Sequence, residues 1–243
     1  MNILMKEGRP IYGGTTDDAA VVRYLKHLRA QGYKIMFYPM FFVNQHDKPW
    51  RGRLKCDAKN IHHFFNKKQG YNDFIKHYAR LTKGLVDAFL IGSELIGLTS
   101  VYGEDSNTRK RIYPAVDELI RLANDVRKIM GKSVKISYAA DWSEYHHTDG
   151  GWYHMDPLWA SDNIDFVGID AYFPLTEFKQ TSYDFKKIMD GWASGEHYDY
   201  VYSNDDRSIK REIKPEFAIK NIEWWWSNRH YNPDGSRTRW NPA

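Results

Sequence analysis

The stretch that decides the fold reads VDAFLIGSELIG and spans residues 86–97. It is an almost unbroken apolar run, which is typical of a parallel strand that is buried on both faces. The run is interrupted by a small polar residue and a carboxylate, Ser93 and Glu94. A buried charge is costly unless it is paired or used. The stretch therefore predicts a buried strand with a structural or functional group at its end.

Three other runs of the same kind accompany it. They read KIMFYPMFFV (34–43), SVKISYAA (133–140) and IDFVGIDAY (164–172). Apolar residues also recur with helical spacing in four segments, namely 21–28, 74–81, 116–126 and 185–192. Pro114 precedes the third of these and suits a first helical turn. Strand and helix thus alternate, which indicates a parallel sheet with crossover helices.

Two α/β architectures fit this alternation: a doubly wound sheet and a (β/α)8 TIM barrel. No glycine-rich phosphate-binding motif follows any of the strands, which favours the barrel. A full barrel takes eight strands in about 250 residues, and this sequence offers four clear ones. Residues 196–243 are polar and aromatic without a strand-like core run. We therefore predict an incomplete TIM-barrel core over residues 1–195 and an aromatic-rich insertion over residues 196–243.

The composition bounds the class of protein. The net charge of +4 is the small difference between 35 basic and 31 acidic residues, and no cluster of Lys and Arg predicts a nucleic-acid partner. Cys56 is the only cysteine, so an intrachain disulfide is excluded. No segment approaches the roughly 18 apolar residues of a membrane span, and the first ten residues do not resemble a signal peptide. We expect a chain made in the cytoplasm without a membrane span.

Polar and aromatic residues follow the predicted strands. In a parallel barrel the carboxyl ends of the strands carry the chemistry. Glycoside hydrolysis needs a proton-donating carboxyl, a second carboxylate and aromatic faces that hold the sugar. The strand ends supply candidates for all three, in the order Ser93, Glu94, Asp141, Trp142, Glu144, Asp170 and Tyr172. Glu94 is the best candidate for the acid, because a semi-buried carboxyl can keep its proton near neutral pH.

Plainer interpretations of these residues stay open at this point. Glu94 could cap the following turn or pair with a nearby arginine. Asp141 and Glu144 lie in a predicted loop and could both be solvated, and we expect this for Glu144. Asp170 and Tyr172 could serve capping and packing. The histidines His146, His147 and His154 match no metal-ligand spacing, so we expect neither a metal nor another cofactor.

Longer motifs resemble a known family. In order, VDAFLIGSELIGLT, KISYAADWSEY, HMDPLWASDNIDFVGIDAYFPLTEF and WWSNRHYN resemble the gene transfer agent TIM-barrel-like domain, part of a tail-hub or baseplate protein of phage-like particles. The strand ends are also similar to endo-β-mannanase-type retaining glycosidases, with Gly-Ser-Glu where those have Gly-Thr-Glu. The resemblance implies that Glu94 is the acid/base. It also implies that a sugar site is lined by the set Ser93, Asp141, Trp142, Asp170 and Tyr172.

The resemblance also sets the functional alternatives. In these families the nucleophile is a second glutamate at the end of the seventh strand, and no residue of this sequence can be assigned to it. The four strands would be the third to sixth of a barrel, and such a piece should be marginal alone. We expect a glycosidase-like domain that acts on or binds cell-envelope polysaccharide. Its other partners would be further segments or chains of the tail hub, in a phage-like particle. The alternatives are a non-catalytic structural module and a remnant of a split gene.

Overall fold

The structure of the chain is a computed structural model. It describes residues 5–6, 9–10, 16–43, 50–109, 111–145, 147–148, 151–172, 184–194, 200–202 and 210–212. The chain divides into two compact units, Met1–Asp170 and Ala171–Ala243. The predicted boundary between residues 195 and 196 stays a prediction.

The elements of the first unit alternate as expected. Its strands are β1 (Met5–Lys6), β2 (Arg9–Pro10), β3 (Met36–Phe37), β4 (Ala88–Ser93), β5 (Gly103–Glu104), β6 (Arg111–Ile112), β7 (Lys135–Asp141), β8 (His147–Thr148), β9 (Gly151–Trp152) and β10 (Gly168–Asp170). Its helices are α1 (Asp18–Ala30), α2 (Ala58–Asn66), α3 (Tyr71–Thr82), α4 (Ile96–Thr99), α5 (Pro114–Met130) and α6 (Asp156–Trp159). A 3₁₀ turn occupies Arg51–Arg53. The second unit has α7 (Phe185–Ser194) and a hairpin of β11 (Tyr200–Tyr202) and β12 (Lys210–Glu212).

The central sheet has four strands in the order β10-β7-β4-β3, and every neighbouring pair is parallel. All four predicted strand runs contribute a strand to it. The order in the sheet follows the order in the sequence, as in a barrel whose strands are added one after another. Together with its helices the sheet forms a half-barrel, which confirms the expectation of an incomplete (β/α) barrel.

The core lies between the sheet and helices α2, α3 and α5. On α5, a stripe at helical spacing is buried, consisting of Val116, Leu119, Leu122, Ala123, Val126 and Met130. This stripe packs against β4 and β7, and α3 packs beside it. Pro114 is the first residue of α5, as its position in the sequence predicted. The periodicity of these helices is therefore explained by burial of one face each.

Burial differs between central and edge strands. In β4 and β7 nearly every residue is buried, whereas β3 has an exposed Met36 and a half-buried Phe37. Beyond β3 the exposed side chains alternate through Tyr38, Met40 and Phe42. The central strands β4 and β7 have a neighbouring strand on each side, whereas β3 has a neighbour on one side only in the described sheet.

Two aspartates form hydrogen bonds with backbone amides at the N-terminal ends of the strands. Asp87 accepts a hydrogen bond from the Ile35 amide at 2.8 Å, and this bond lowers the pKa of Asp87. Asp165 accepts from the Ile136 amide at 2.7 Å and pairs with Arg127 at 2.5 Å. Burial raises the pKa of Asp165. The hydrogen bonds from Ile136 and Arg127 lower this pKa by more, so that it lies below its ordinary value. Polar groups at this end of the sheet thus serve stability, and the other end is left for the candidate site.

Within the part of the chain that the structure describes, we find no helix long and apolar enough to cross a lipid bilayer.

Candidate functional site

The carboxyl ends of β4, β7 and β10 meet at one edge of the sheet. Asp170 is the register partner of Asp141 on the neighbouring strand, and Ser93 is the register partner of Ala139. Because these strands are parallel and adjacent, three of the predicted carboxylates stand side by side: Glu94, Asp141 and Asp170. Sequence alone predicted that they follow strands, and the sheet order makes them neighbours.

A bulge in β4 changes the direction of the end of this strand. The register between β4 and β7 shifts between Leu90 and Ser93. Inside the shift, a Cβ on Gly92 would lie 2.4 Å from the Tyr71 hydroxyl and 3.0 Å from the Tyr138 ring. Glycine is therefore needed there for two buried tyrosines to approach the backbone. Bulges of this kind change the direction of the side chains that follow.

Glu94 has an unusual backbone conformation. Its φ is +48°, in the left-handed region that costs a non-glycine residue about 1–2 kcal/mol. The conformation is held by hydrogen bonds on both sides: the Glu94 amide donates to the Ala139 carbonyl at 2.8 Å, and the Leu95 amide donates to the Tyr138 hydroxyl at 2.6 Å. The chain therefore turns sharply at the carboxylate, directly after the strand.

The Glu94 carboxylate is held by two residues from the 3₁₀ turn. Trp50 donates its indole N–H to Glu94 Oε2 at 2.8 Å, and Arg51 donates to the same oxygen at 2.6 Å. The side chains of Arg51 and Glu94 are only 12% and 8% exposed, so this is a largely desolvated ion pair. Among the described residues, none donates to Glu94 Oε1. The alternative in which Glu94 pairs with an arginine is thus realised, through Oε2.

Arg51 and Ser93 connect Glu94 to Asp170. Arg51 Nη2 donates to Ser93 Oγ at 2.7 Å, and Arg51 Nε donates to the Ser93 carbonyl at 2.9 Å. Ser93 Oγ in turn donates to Asp170 Oδ2 at 2.8 Å. Two carboxylates on non-adjacent strands, β4 and β10, are therefore joined through one guanidinium and one hydroxyl. This network fixes both acids relative to each other.

The remaining predicted site residues differ in exposure. Asp141 is buried, and its Oδ2 accepts from the Ser143 amide and hydroxyl at 3.0 and 2.7 Å. Trp142, directly after it, is 38% exposed. Tyr172 is 74% exposed and belongs to the second unit. Trp142 is therefore partly accessible, and the roles of both Trp142 and Tyr172 in a sugar site stay predictions.

Glu144 is not solvated, and the expectation for it was wrong. Its side chain is fully buried, and its oxygens accept from Thr99 Oγ1 at 2.5 Å, Tyr138 OH at 2.9 Å and the Asp141 amide at 3.0 Å. Burial raises its pKa to about 7 against these three donors, with a smaller contribution from the Asp141 charge. The turn after β7 folds back, so that Glu144 lies beneath the strand ends.

Sequence reasoning assigned no role to Trp50 and Arg51. They lie more than 40 residues before Glu94 in the chain, and only the fold brings them to it. The sequence feature that could have indicated them is the segment PWRGR (49–53), in which a tryptophan and two arginines adjoin an otherwise polar loop. Helix α4, which follows Glu94, packs on the 3₁₀ turn and so carries these residues to the strand end.

In the described part of the chain, no group of three or more His, Cys, Asp or Glu side chains could hold a metal ion. His154 is buried beside Tyr113, with 5.3 Å between the ring centroids. The strand ends carry the Arg51 guanidinium, carboxylates on neighbouring strands and the indoles of Trp50 and Trp142.

A parallel half-barrel with its polar groups at the carboxyl ends of the strands defines a TIM-barrel-like α/β protein. The chain matches the model of the GTA TIM-barrel-like domain over residues 69–243, and it belongs to this family. A search of curated proteins finds no match. Among solved structures, a chitinase from Rhizomucor miehei is similar at 15% identity and a TM-score of 0.37, over 66% of this chain. This chain spans 45% of the chitinase chain.

Proposed function

We propose that this domain is a glycoside-hydrolase-like module that acts on or binds a cell-envelope polysaccharide, as part of a gene transfer agent or another phage-tail-like particle. One observation carries the proposal: Glu94, Asp141 and Asp170 stand together at the carboxyl ends of parallel strands, with Trp142 half-exposed beside them. Carboxylates accept hydrogen bonds from sugar hydroxyls, and an indole face packs on a sugar ring. Membership of the family supports the particle context.

Within this proposal Glu94, which the structure pairs with Arg51, is the candidate acid/base. Its Oε2 is fixed by Trp50 and Arg51, so that Oε1 is the atom that can meet the glycosidic oxygen of a bound sugar. Hydrolysis needs a second carboxylate as nucleophile or base. Asp170 is the better placed of the two aspartates for this role, because Ser93 joins it to the Glu94 network. A retaining mechanism would instead use a glutamate supplied by another segment or chain of the tail hub.

One observation favours a second candidate, a non-catalytic tail-hub module. Arg51 is bonded to Glu94 and to Ser93, and Ser93 is bonded to Asp170, so the cluster satisfies much of its own hydrogen-bonding capacity. A network of this kind can serve only to fix the loops at the end of the half-barrel. In that case the strand-end carboxylates would contribute stability and no turnover.

The experiment is a hydrolysis and binding assay on a panel of β-linked polysaccharides, mannan included. Release of reducing ends measures hydrolysis, and retarded migration in gels that contain the polysaccharide measures binding. The chain is compared with Glu94→Gln, Trp142→Ala and the control Glu104→Gln, whose exposed carboxylate lies in β5 and pairs with Arg109. Circular dichroism checks that each variant is folded.

The outcomes separate the two candidates. Turnover that is lost in Glu94→Gln and kept in Glu104→Gln would support hydrolysis with Glu94 as the acid. Binding that falls in Trp142→Ala, without turnover in any variant, would support a polysaccharide-binding module. A folded chain that neither cleaves nor binds any member of the panel would refute the proposal and leave the structural role.

A further inference from the structure

Glu144 is a buried carboxyl that the proposed function does not use. All three of its hydrogen bonds come from donors in the first unit: the Thr99 hydroxyl at the end of α4, and the Tyr138 hydroxyl and Asp141 amide on β7. It has no exposed surface, so it cannot touch a ligand. Its contacts instead join the two segments that follow β4 and β7, which are the segments that carry the candidate site.

The hydrogen-bond directions around Tyr138 are determined by the donors. The Leu95 amide donates to the Tyr138 oxygen at 2.6 Å, so this oxygen is already an acceptor. The Tyr138 proton is then directed to Glu144 Oε1 at 2.9 Å. A chain of two bonds thus runs from the Leu95 amide through the Tyr138 hydroxyl to the Glu144 carboxylate.

This chain of bonds reaches the backbone of Glu94. Leu95 directly follows Glu94, whose φ of +48° is unfavourable for a residue with a side chain. Such a conformation persists only where surrounding contacts hold it. The described contacts on its C-terminal side are the Tyr138 bond to Leu95 and the start of α4, whose last residue, Thr99, donates to the same Glu144.

We propose that Glu144 is a positioning residue: through Tyr138 and Thr99 it holds the left-handed turn at Glu94 and thereby aims the Glu94 carboxylate at Trp50 and Arg51. The importance of this positioning for sugar binding or hydrolysis rests on the proposed function. The positioning itself does not depend on turnover and can be measured in a chain that has none.

The protonation state of Glu144 gives the arrangement a pH dependence. A carboxylate can accept all three hydrogen bonds, whereas a protonated carboxyl has to donate one, which reverses its bond with the Thr99 or the Tyr138 hydroxyl. Burial raises the pKa of Glu144 to about 7, so the switch falls near neutral pH. The charged or titratable groups that act on the same pocket are Asp141, Tyr138 and Tyr71, with Arg51 beyond Tyr71. Burial raises the pKa of both tyrosines well above this range.

The test follows two protons by NMR across pH 5.5–8.5. The Leu95 amide proton reports on its bond to Tyr138, and the Trp50 indole proton reports on the Glu94 carboxylate. Trp50→Phe assigns the indole signal. In the wild-type chain we expect both signals to shift in one transition centred near pH 7. We expect this transition to be absent from both signals in Glu144→Gln.

A second variant protects the test against misfolding of Glu144→Gln. Tyr138→Phe keeps the carboxyl and its bond with Thr99 but breaks the path to Leu95, so the Trp50 transition should become smaller while Glu144 still titrates. Asp165→Asn, at the opposite end of the strands, is the control and should leave the transition unchanged.

The possible results divide as follows. A Leu95 transition without a Trp50 transition would overturn the inference, because Glu144 would then act on the backbone without aiming the carboxylate. A Trp50 transition that survives in both variants would overturn it as well, since another group would be its source. A chain that shows the expected transition but neither cleaves nor binds polysaccharide would keep this inference and lose the proposed function.

Discussion

Replacement of Glu144 by glutamine should change how the stability of the chain depends on pH. Glutamine has nearly the same shape but cannot ionise. In the wild-type chain the folded state holds the Glu144 proton more tightly than the unfolded state does, because burial raises the pKa from 4.5 to about 7. The stabilising contribution is therefore fully present below pH 4.5 and is lost as the pH rises through 7. Glu144→Gln does not lose stability in this way as the pH rises, because glutamine does not ionise.

The magnitude follows from the two pKa values. Each pKa unit corresponds to about 1.4 kcal/mol, and most of the interval between 4.5 and about 7 lies above pH 5. The difference in free energy of unfolding between wild type and Glu144→Gln should thus change by about 2–3 kcal/mol between pH 5 and pH 8. The glutamine amide, like the protonated carboxyl, places one donor among these groups, so a fixed difference between glutamine and the protonated carboxyl does not depend on pH and cancels in the comparison.

The assay is urea unfolding followed by circular dichroism at pH 5, 6, 7 and 8. Asp165→Asn is the matched control: the pKa of Asp165 is lowered, so this group stays ionised over the whole range and its difference from wild type should be flat. Wild type should lose stability relative to Glu144→Gln as the pH rises. A difference for Glu144→Gln that is also flat, or that has the opposite slope, would refute the reasoning that burial dominates at this site.

Two other predictions concern the packing around the site. Arg51→Met should lower the free energy of unfolding by about 3–5 kcal/mol, because it leaves the buried Glu94 carboxylate without its cation. The double variant Arg51→Met/Glu94→Gln should recover part of this in urea unfolding, and additive losses would contradict the ion-pair argument. Gly97→Ala should cost about 1–3 kcal/mol, because its Cβ would lie 2.3 Å from the Leu54 carbonyl oxygen. Gly103→Ala, with its nearest neighbour at 3.6 Å, is the control, and equal thermal melting of both variants would show that α4 can shift.

The fold was largely predictable because its signals are local. Each of the four apolar runs forms a strand of the parallel sheet, and the stripes of α1, α3, α5 and α7 occur where the periodicity predicted them. Helix α2 was missed although Asp57 stands at its N-cap, since it has only nine residues. The hairpin of β5 and β6 was missed as well, because two-residue strands leave no alternation to read.

The candidate site was predictable only in part. Ser93, Glu94, Asp141 and Asp170 could be placed at strand ends, because a polar residue after a buried run is visible in the sequence. That Asp170 bonds to Ser93 could not be predicted, since it depends on which strands are neighbours and on the bulge at Gly92. The contacts of Trp50 and Arg51 with Glu94 join residues more than 40 positions apart, and no local pattern encodes them.

What the sequence by itself determined is the alternation of buried strands and amphipathic helices, and the presence of carboxylates where the strands end. Hydrophobic period and strand length act over a few residues, so they can be read without knowing the fold. What only the tertiary structure decided is the state of those carboxylates. Glu144 looks like a solvated loop residue in the sequence, yet the fold removes all its water and surrounds it with three donors. Burial and hydrogen bonding set its pKa, and both are properties of the surroundings that distant segments create.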